Sequence, residues 1–170
     1  AQAHDASVDW HVMSLAILNE DQEPDSDEQR QQLDTSRRLG RVLMAAVDES
    51  GTDSLEPLYS AIGRRLHHAG DEMTPATVSE ILVDTGLPAG LAEAMDDESF
   101  DDALRASHQR SQDALGEAGG SPITGIDGNH FFGPVLSDIP TGDEADALFS
   151  SLVTLAGVSA FAQVKRPAGG

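Results

Sequence analysis

The sheet-forming signal of this chain is clearest in Ser121-Pro-Ile-Thr-Gly-Ile-Asp-Gly-Asn-His-Phe-Phe132. Ile123–Ile126 carries β-branched residues and His130–Phe132 carries aromatic ones, while Asp127-Gly128 between them is a strong signal for a tight hairpin turn. We therefore predict a β-hairpin. Pro122 directly precedes its first strand, and this context favours a cis bond before the proline, although spacing alone leaves the trans form open.

Residues 29–118, which precede the hairpin, show the periodicity of about five successive helices. Apolar side chains recur at i, i+3, i+4, i+7 and i+8, the spacing that places them on one helix face. Two such faces are Leu39, Val42, Leu43, Ala46 and Val47, and Leu55, Leu58, Tyr59, Ile62 and Leu66. We therefore expect a mostly helical region with no strand inside it.

Local signals predict where several helices begin and end. Thr74-Pro75 is an N-cap followed by a first-turn proline, and Gly86 is expected to end the helix that this pair begins. Ser99 is predicted to cap the helix that follows it. Thr141-Gly-Asp-Glu144 fits a capping box, which predicts the start of the last helix.

The residues before the helices predict one further strand. Val8–Met13 begins with alternating apolar and polar side chains, the pattern of a partly buried strand. A lone strand cannot pair with itself, so it would join the hairpin in one sheet, with the helices inserted between them. Glu20–Glu28 carries six acidic residues and predicts a solvated connecting loop. The residues alone therefore indicate an α+β domain whose three-stranded sheet is thin for the length of the chain.

Composition excludes several classes of function. The 170 residues contain 30 Asp and Glu against 10 Lys and Arg, a formal charge of −20. Nucleic acids and anionic membrane surfaces are bound through clustered cations, so neither is an expected partner. No apolar run reaches the length of a membrane span. The chain contains no cysteine, which excludes disulfides, thiolate zinc sites and a cysteine nucleophile within these residues.

Histidine placement predicts no metal site. His67 and His68 follow each other at a helix end, where cationic side chains interact favourably with the helix dipole, whereas metal sites typically space histidines at i and i+4. His108 lies in a polar stretch and is expected to be exposed. The chain also lacks the serine-hydrolase motif and a phosphate-binding loop. The residues alone thus predict no catalytic site.

Three stretches closely resemble a known family: Trp10–Glu20, Ser121–Gly128 and Phe131–Pro140. They are similar to segments of the mycothiol-dependent nitroreductases, a group within the DsbA-like thioredoxin-fold proteins. The resemblance implies an α/β fold in which an all-helical domain is inserted into a thioredoxin-like sheet. Residues 1–28 and 119–170 would form the two parts of the thioredoxin-like domain, and residues 29–118 would form the inserted helical domain.

The resemblance also implies an activity. Members of this family are cytoplasmic thiol-disulfide oxidoreductases that use mycothiol as reductant, need no metal and act on small molecules or on thiol and disulfide substrates. Their thiolate belongs to a Cys-Pro-x-Cys motif, which lies, with a first strand, before the part of the family that this sequence matches. The sequence is therefore expected to be a fragment of such an enzyme. The alternatives are a non-catalytic thioredoxin-fold binding module and a relative of thiol-dependent isomerases or kappa-type transferases; the oligomeric state is left open.

The resemblance assigns substrate-binding and thiol-binding roles residue by residue. Ser121 and a cis Pro122 would lie against the reactive disulfide and shape the substrate groove, and the backbone at residue 121 would pair with an incoming thiol as a short strand. Asn19, on the loop after the first strand, matches a position near the family's active site. His67 matches a position in the family's helical lobe, and Tyr59 would contribute to the wall of that lobe. No catalytic residue is assigned within these 170 residues.

Overall fold

The computed structural model describes residues 6–165 and has a mixed α/β architecture, mostly helical with a small two-stranded sheet. The chain divides into two compact units, Ala1–Ser111 and Gln112–Gly170. Within the described residues, none of the helices is both long enough and apolar enough to cross a bilayer. The division into residues 1–28, 29–118 and 119–170 that the sequence suggested stays a prediction.

From residue 6 onward, the first unit consists of a segment without regular secondary structure, followed by helices and connecting turns. Its α-helices are α1 (Leu15–Leu18), α2 (Asp27–Ser50), α3 (Leu55–Gly63), α4 (Pro75–Asp84) and α5 (Asp101–Leu115), whose last residues extend into the second unit. A π-helical turn spans Arg64–Ala69, and 3₁₀ segments span Thr52–Ser54, Ala89–Asp96 and Glu98–Phe100. Residues 29–118 contain no strand, so the expectation of a mostly helical region is confirmed.

The helix ends follow local hydrogen bonding. At the start of α2, the Ser26 hydroxyl accepts a hydrogen bond from the Gln29 N–H at 3.1 Å. At the start of α4, the Thr74 hydroxyl accepts from the Thr77 N–H at 3.2 Å, and Pro75 occupies the first helical position. Gly86 follows the end of α4 with a positive φ of 81°. The predicted limits of α4 are thus confirmed.

Two capping predictions need correction. The Asp97 carboxylate, not Ser99, supplies the cap before α5, because it accepts a hydrogen bond from the Ser99 N–H at 2.9 Å and begins the short 3₁₀ turn that leads into the helix. The last helix begins directly after Thr141, as predicted. However, the Thr141 side chain makes no capping hydrogen bond, so the predicted capping box is not formed.

The core of the first unit lies between α2, α3, α4, α5 and the Ala89–Asp96 segment. The largest fully buried side chains are Val42, Leu58, Val78, Ile81, Leu82, Met95 and Leu104. Most of the two predicted apolar faces lies in or against this core. Tyr59 is an exception, because 56% of this residue is exposed although its neighbour Leu58 is fully buried.

The strand predicted over Val8–Met13 is wrong. Residues 6–14 have no regular secondary structure, and Ser14 begins α1 by accepting a hydrogen bond from the Ile17 N–H. A strand requires the backbone of a neighbouring strand, and in the described part of the chain the sheet pairs only the two strands of the hairpin. The alternating pattern still places Val12 in the core, with 7% of the residue exposed.

Within residues 112–165, the second unit contains the end of α5, the predicted hairpin and one further helix. Strands β1 (Ile123–Ile126) and β2 (Asn129–Phe132) pair antiparallel, with Ile123 opposite Phe132 and Gly125 opposite His130. The turn residues Asp127 and Gly128 both have positive φ, 50° and 79°, as a type I′ hairpin turn requires. Helix α6 (Gly142–Ala156) follows. The hairpin prediction is confirmed.

Candidate functional site

Ser121 and Pro122 lie exposed at the open end of the hairpin, directly before β1. Their peptide bond is cis, as is Gly133–Pro134 after β2. The Gly133 N–H donates a hydrogen bond to the Pro122 carbonyl at 2.8 Å, which extends the ladder by one bond beyond the strands. Among residues 6–165, neither the N–H nor the carbonyl of Ser121 makes a backbone hydrogen bond. The hairpin therefore ends in a residue whose backbone donor and acceptor are both available.

Asn19 is half-buried at the C-terminus of α1. Its side-chain amide donates a hydrogen bond to the Leu15 carbonyl at 2.7 Å, and its backbone N–H donates to the same carbonyl at 3.1 Å. Both bonds hold the residue against its own helix. The side-chain carbonyl oxygen of Asn19 is then the group that can accept a hydrogen bond from a ligand.

Glu20 follows Asn19 and is bound by two arginines. The Arg105 guanidinium donates to both carboxylate oxygens at 2.5 and 2.7 Å, and Arg37 adds a third bond at 3.4 Å. The hydrogen bonds from Arg105 hold the pKa of Glu20 below its usual value, and the bond from Arg37 adds a smaller lowering. Desolvation of the carboxylate opposes this shift without cancelling it. The loop after α1 is thus tied to α5 and to α2.

Tyr59 lies on the surface of the first unit beside Trp10. Their ring centroids are 6.3 Å apart and the rings are inclined by 35°. Trp10 is 39% exposed, so the two rings together present aromatic surface to solvent. Aromatic pairs at this separation attract each other, which stabilises the extended segment against α3.

His67 is exposed in the π-helical turn that continues α3. The neighbouring Arg65 is paired with Asp71 and Glu80, so the turn is fixed to the residues that follow it. In the described part of the first unit, no hydrogen bond or ring contact joins Asn19, Tyr59 and His67 to one another. Across residues 6–165, no group of three or more His, Asp or Glu side chains lies close enough to hold a metal ion.

His108 is a titratable residue whose burial differs from the prediction. The prediction that it is exposed is wrong, because only 6% of the residue is accessible and its Nδ1 has no hydrogen-bond partner. Burial lowers the pKa of His108; the nearby Glu20 raises it and Arg105 lowers it further. The spacing Leu104, Ser107, His108 could have indicated the burial, since i, i+3 and i+4 share one helix face.

Comparison with known proteins shows the family to which this chain belongs. The chain belongs to the family of Rv2466c-like mycothiol-dependent nitroreductases, whose family model matches residues 1–166. It is also 38% identical over 132 residues to "Uncharacterized protein Rv2286c" of Mycobacterium tuberculosis. That match covers 76% of this chain and 55% of the relative, so the chain spans little more than half of the relative's length.

Proposed function

We propose that these 170 residues form the thiol-binding and substrate-binding part of a cytoplasmic, mycothiol-dependent oxidoreductase with a DsbA-like thioredoxin fold. Membership of the nitroreductase family supports the reaction class. The observation that carries the proposal is the unpaired backbone of Ser121 directly before Pro122, at the exposed end of the hairpin. An extended thiol substrate would add there as a short strand, accepting from the Ser121 N–H and donating to its carbonyl.

The redox step of such an enzyme is thiol-disulfide exchange. A thiolate attacks one sulfur of a disulfide, a new S–S bond forms, and the second sulfur leaves as a thiolate. Because the 170 residues contain no cysteine, the attacking sulfur belongs to mycothiol or to a cysteine outside these residues. The residues present here would bind and orient the partners and would not themselves exchange electrons.

Three further residues are assigned to the same function. Asn19 would accept a hydrogen bond from mycothiol through the amide oxygen that its contact with Leu15 leaves available. Tyr59, held by Trp10, would offer an aromatic face and a hydroxyl to mycothiol. His67, exposed on the π-helical turn, would donate or accept a further hydrogen bond.

The test is the affinity of the chain for mycothiol, measured by calorimetry for the native protein, Ser121→Pro and Ser121→Ala. Proline removes the backbone donor at residue 121, whereas alanine keeps it and removes only the hydroxyl. We expect alanine to bind like the native protein and proline to bind about tenfold more weakly, the loss of one hydrogen bond of about 1.4 kcal/mol. No binding by the native chain, or equal binding by the two variants, would overturn the proposal.

A non-catalytic binding module is the second candidate, favoured by the absence of cysteine from the chain. The intact mass and the number of alkylatable thiols of the protein isolated from its natural source separate the two. A mass of 17.9 kDa with no thiol supports the binding module, and a longer polypeptide with reactive cysteines supports the oxidoreductase. Mycothiol-dependent turnover by the cysteine-free chain itself would instead favour an isomerase or kappa-type transferase.

A further inference from the structure

The contact between Glu20 and two arginines fixes the loop on which Asn19 lies. Arg105 approaches the Glu20 carboxylate with two guanidinium nitrogens, the fork geometry that gives carboxylate pairs their specificity. Arg37 reaches the same carboxylate from α2. We propose that Arg105 is a positioning residue, which holds Asn19 in place for its ligand through Glu20. This inference rests on the proposed thiol-binding role of Asn19.

Helix α1 needs such a fixing contact because it is too short to be stable alone. It has four residues, and isolated helices of that length do not persist in water. Its buried residue is Ala16, a small side chain that contributes little apolar area. Asn19 is bonded back to Leu15, and the Glu20 N–H donates to the Ile17 carbonyl. These bonds join helix α1, Asn19 and Glu20, so the Glu20 carboxylate, together with Ile17 packed against the core, fixes their position.

The pair of Glu20 with Arg105 differs from the pairs made by Arg38 and Arg41 in the segment that it holds. Arg41 binds Asp101, and Arg38 binds Asp96, and each of these pairs joins α2 to segments that carry no residue of the proposed site. Glu20, by contrast, directly follows Asn19. Its carboxylate is partly screened from water, with 31% of the side chain exposed. Isolated surface ion pairs contribute little, but a bidentate arginine–carboxylate pair joined by a second arginine can hold its side chains in one orientation.

The experiment compares the native chain with Arg105→Gln, Glu20→Gln and the double variant. Arg30→Gln is the matched control, because Arg30 pairs with Asp27 on the exposed face of α2 and does not contact the loop. Two quantities are measured: hydrogen exchange at the Asn19 backbone amide by NMR, and the dissociation constant for mycothiol.

We expect Arg105→Gln to speed Asn19 exchange severalfold and to weaken mycothiol binding about fivefold, with Arg30→Gln unchanged in both. The double variant should lose no more than Glu20→Gln alone, since that change already removes the Arg105 contact together with the Arg37 bond. Native-like exchange and affinity in Arg105→Gln, or additive losses in the double variant, would overturn the inference. If the native chain does not bind mycothiol, the proposed function fails, and Asn19 exchange still decides whether Arg105 positions the loop.

Discussion

The hydroxyl of Ser107 donates a hydrogen bond to the carbonyl oxygen of Val12 at 2.7 Å, and both residues are buried. This bond joins α5 to the extended segment 6–14, which has no strand beside it in the described part of the chain. It satisfies a buried backbone carbonyl that a sheet would otherwise satisfy. A side chain of the helical unit thus takes over the role of a neighbouring strand at this point.

Replacing Ser107 by alanine should weaken the attachment of residues 6–14 to α5. The Val12 carbonyl would lose its buried partner, so we expect Ser107→Ala to lower the free energy of unfolding by about 1–2 kcal/mol. Trp10 is the single tryptophan of the chain and lies two residues away, so urea unfolding followed by its fluorescence measures the effect. Ser151→Ala is the control, because that exposed hydroxyl bonds only within α6. Equal unfolding of the two variants would contradict the importance of the Ser107 bond.

Two helical glycines should respond oppositely to alanine. A Cβ at Gly40 would lie 2.8 Å from Cδ2 of the fully buried Leu104, whereas a Cβ at Gly63 would meet no atom within 4 Å. We expect Gly40→Ala to destabilise the first unit by about 1–2 kcal/mol through overpacking. Gly63→Ala should stabilise it by about 0.5–1 kcal/mol, since alanine is the better helix former. Thermal unfolding of both variants checks the sign of each change.

Arg41 should contribute far more to stability than an exposed arginine of the same helix. Its side chain is 10% exposed and donates both to the Asp101 carboxylate and to the Met95 carbonyl. Removing it leaves a partly buried carboxylate unpaired, so we expect Arg41→Ala to cost about 3 kcal/mol. Arg30→Ala, which breaks an exposed pair, should cost less than about 0.5 kcal/mol. Denaturant titrations showing similar costs would refute this difference.

His108 should make stability depend on pH. Burial lowers its pKa in the folded chain below the ordinary value of 6.5. The unfolded chain therefore takes up the proton first as pH falls, so the contribution of the neutral histidine is complete above about pH 6.5 and is lost below it. We expect His108→Gln to flatten the stability profile between about pH 7 and pH 5. Thermal unfolding of both proteins across this pH range measures the slope, and an unchanged slope in His108→Gln would contradict the effect.

A further loss at lower pH should persist in His108→Gln. Hydrogen bonds from Arg105 and Arg41 lower the pKa values of Glu20 and Asp101. Each carboxylate therefore contributes stability that is present above its unfolded pKa and is lost as pH falls through the folded value. In the His108→Gln background, replacing Glu20 by glutamine should remove part of this acid-dependent loss and leave the part above pH 5 unchanged. A profile unaltered by Glu20→Gln would show that the pair with Arg105 adds no net stability.

The sequence by itself determined the elements whose cause lies within a few residues. The Thr74-Pro75 pair predicted the start of α4, and Asp127-Gly128 predicted the hairpin, because capping and turn formation involve groups three or four positions apart. The helical faces of α2 and α3 followed from periodicity for the same reason. The three stretches that resemble the nitroreductase family likewise needed no structure.

Only the tertiary structure decided which distant groups meet. The strand predicted at Val8–Met13 failed because strand formation depends on a neighbour that periodicity cannot supply. The burial of His108 and the bond from Ser107 to Val12 depend on how α5 packs. The pairing of Glu20 with Arg105 joins residues 85 positions apart. No local pattern specifies such a contact, because its energy is gained only after the rest of the unit has brought the two side chains together.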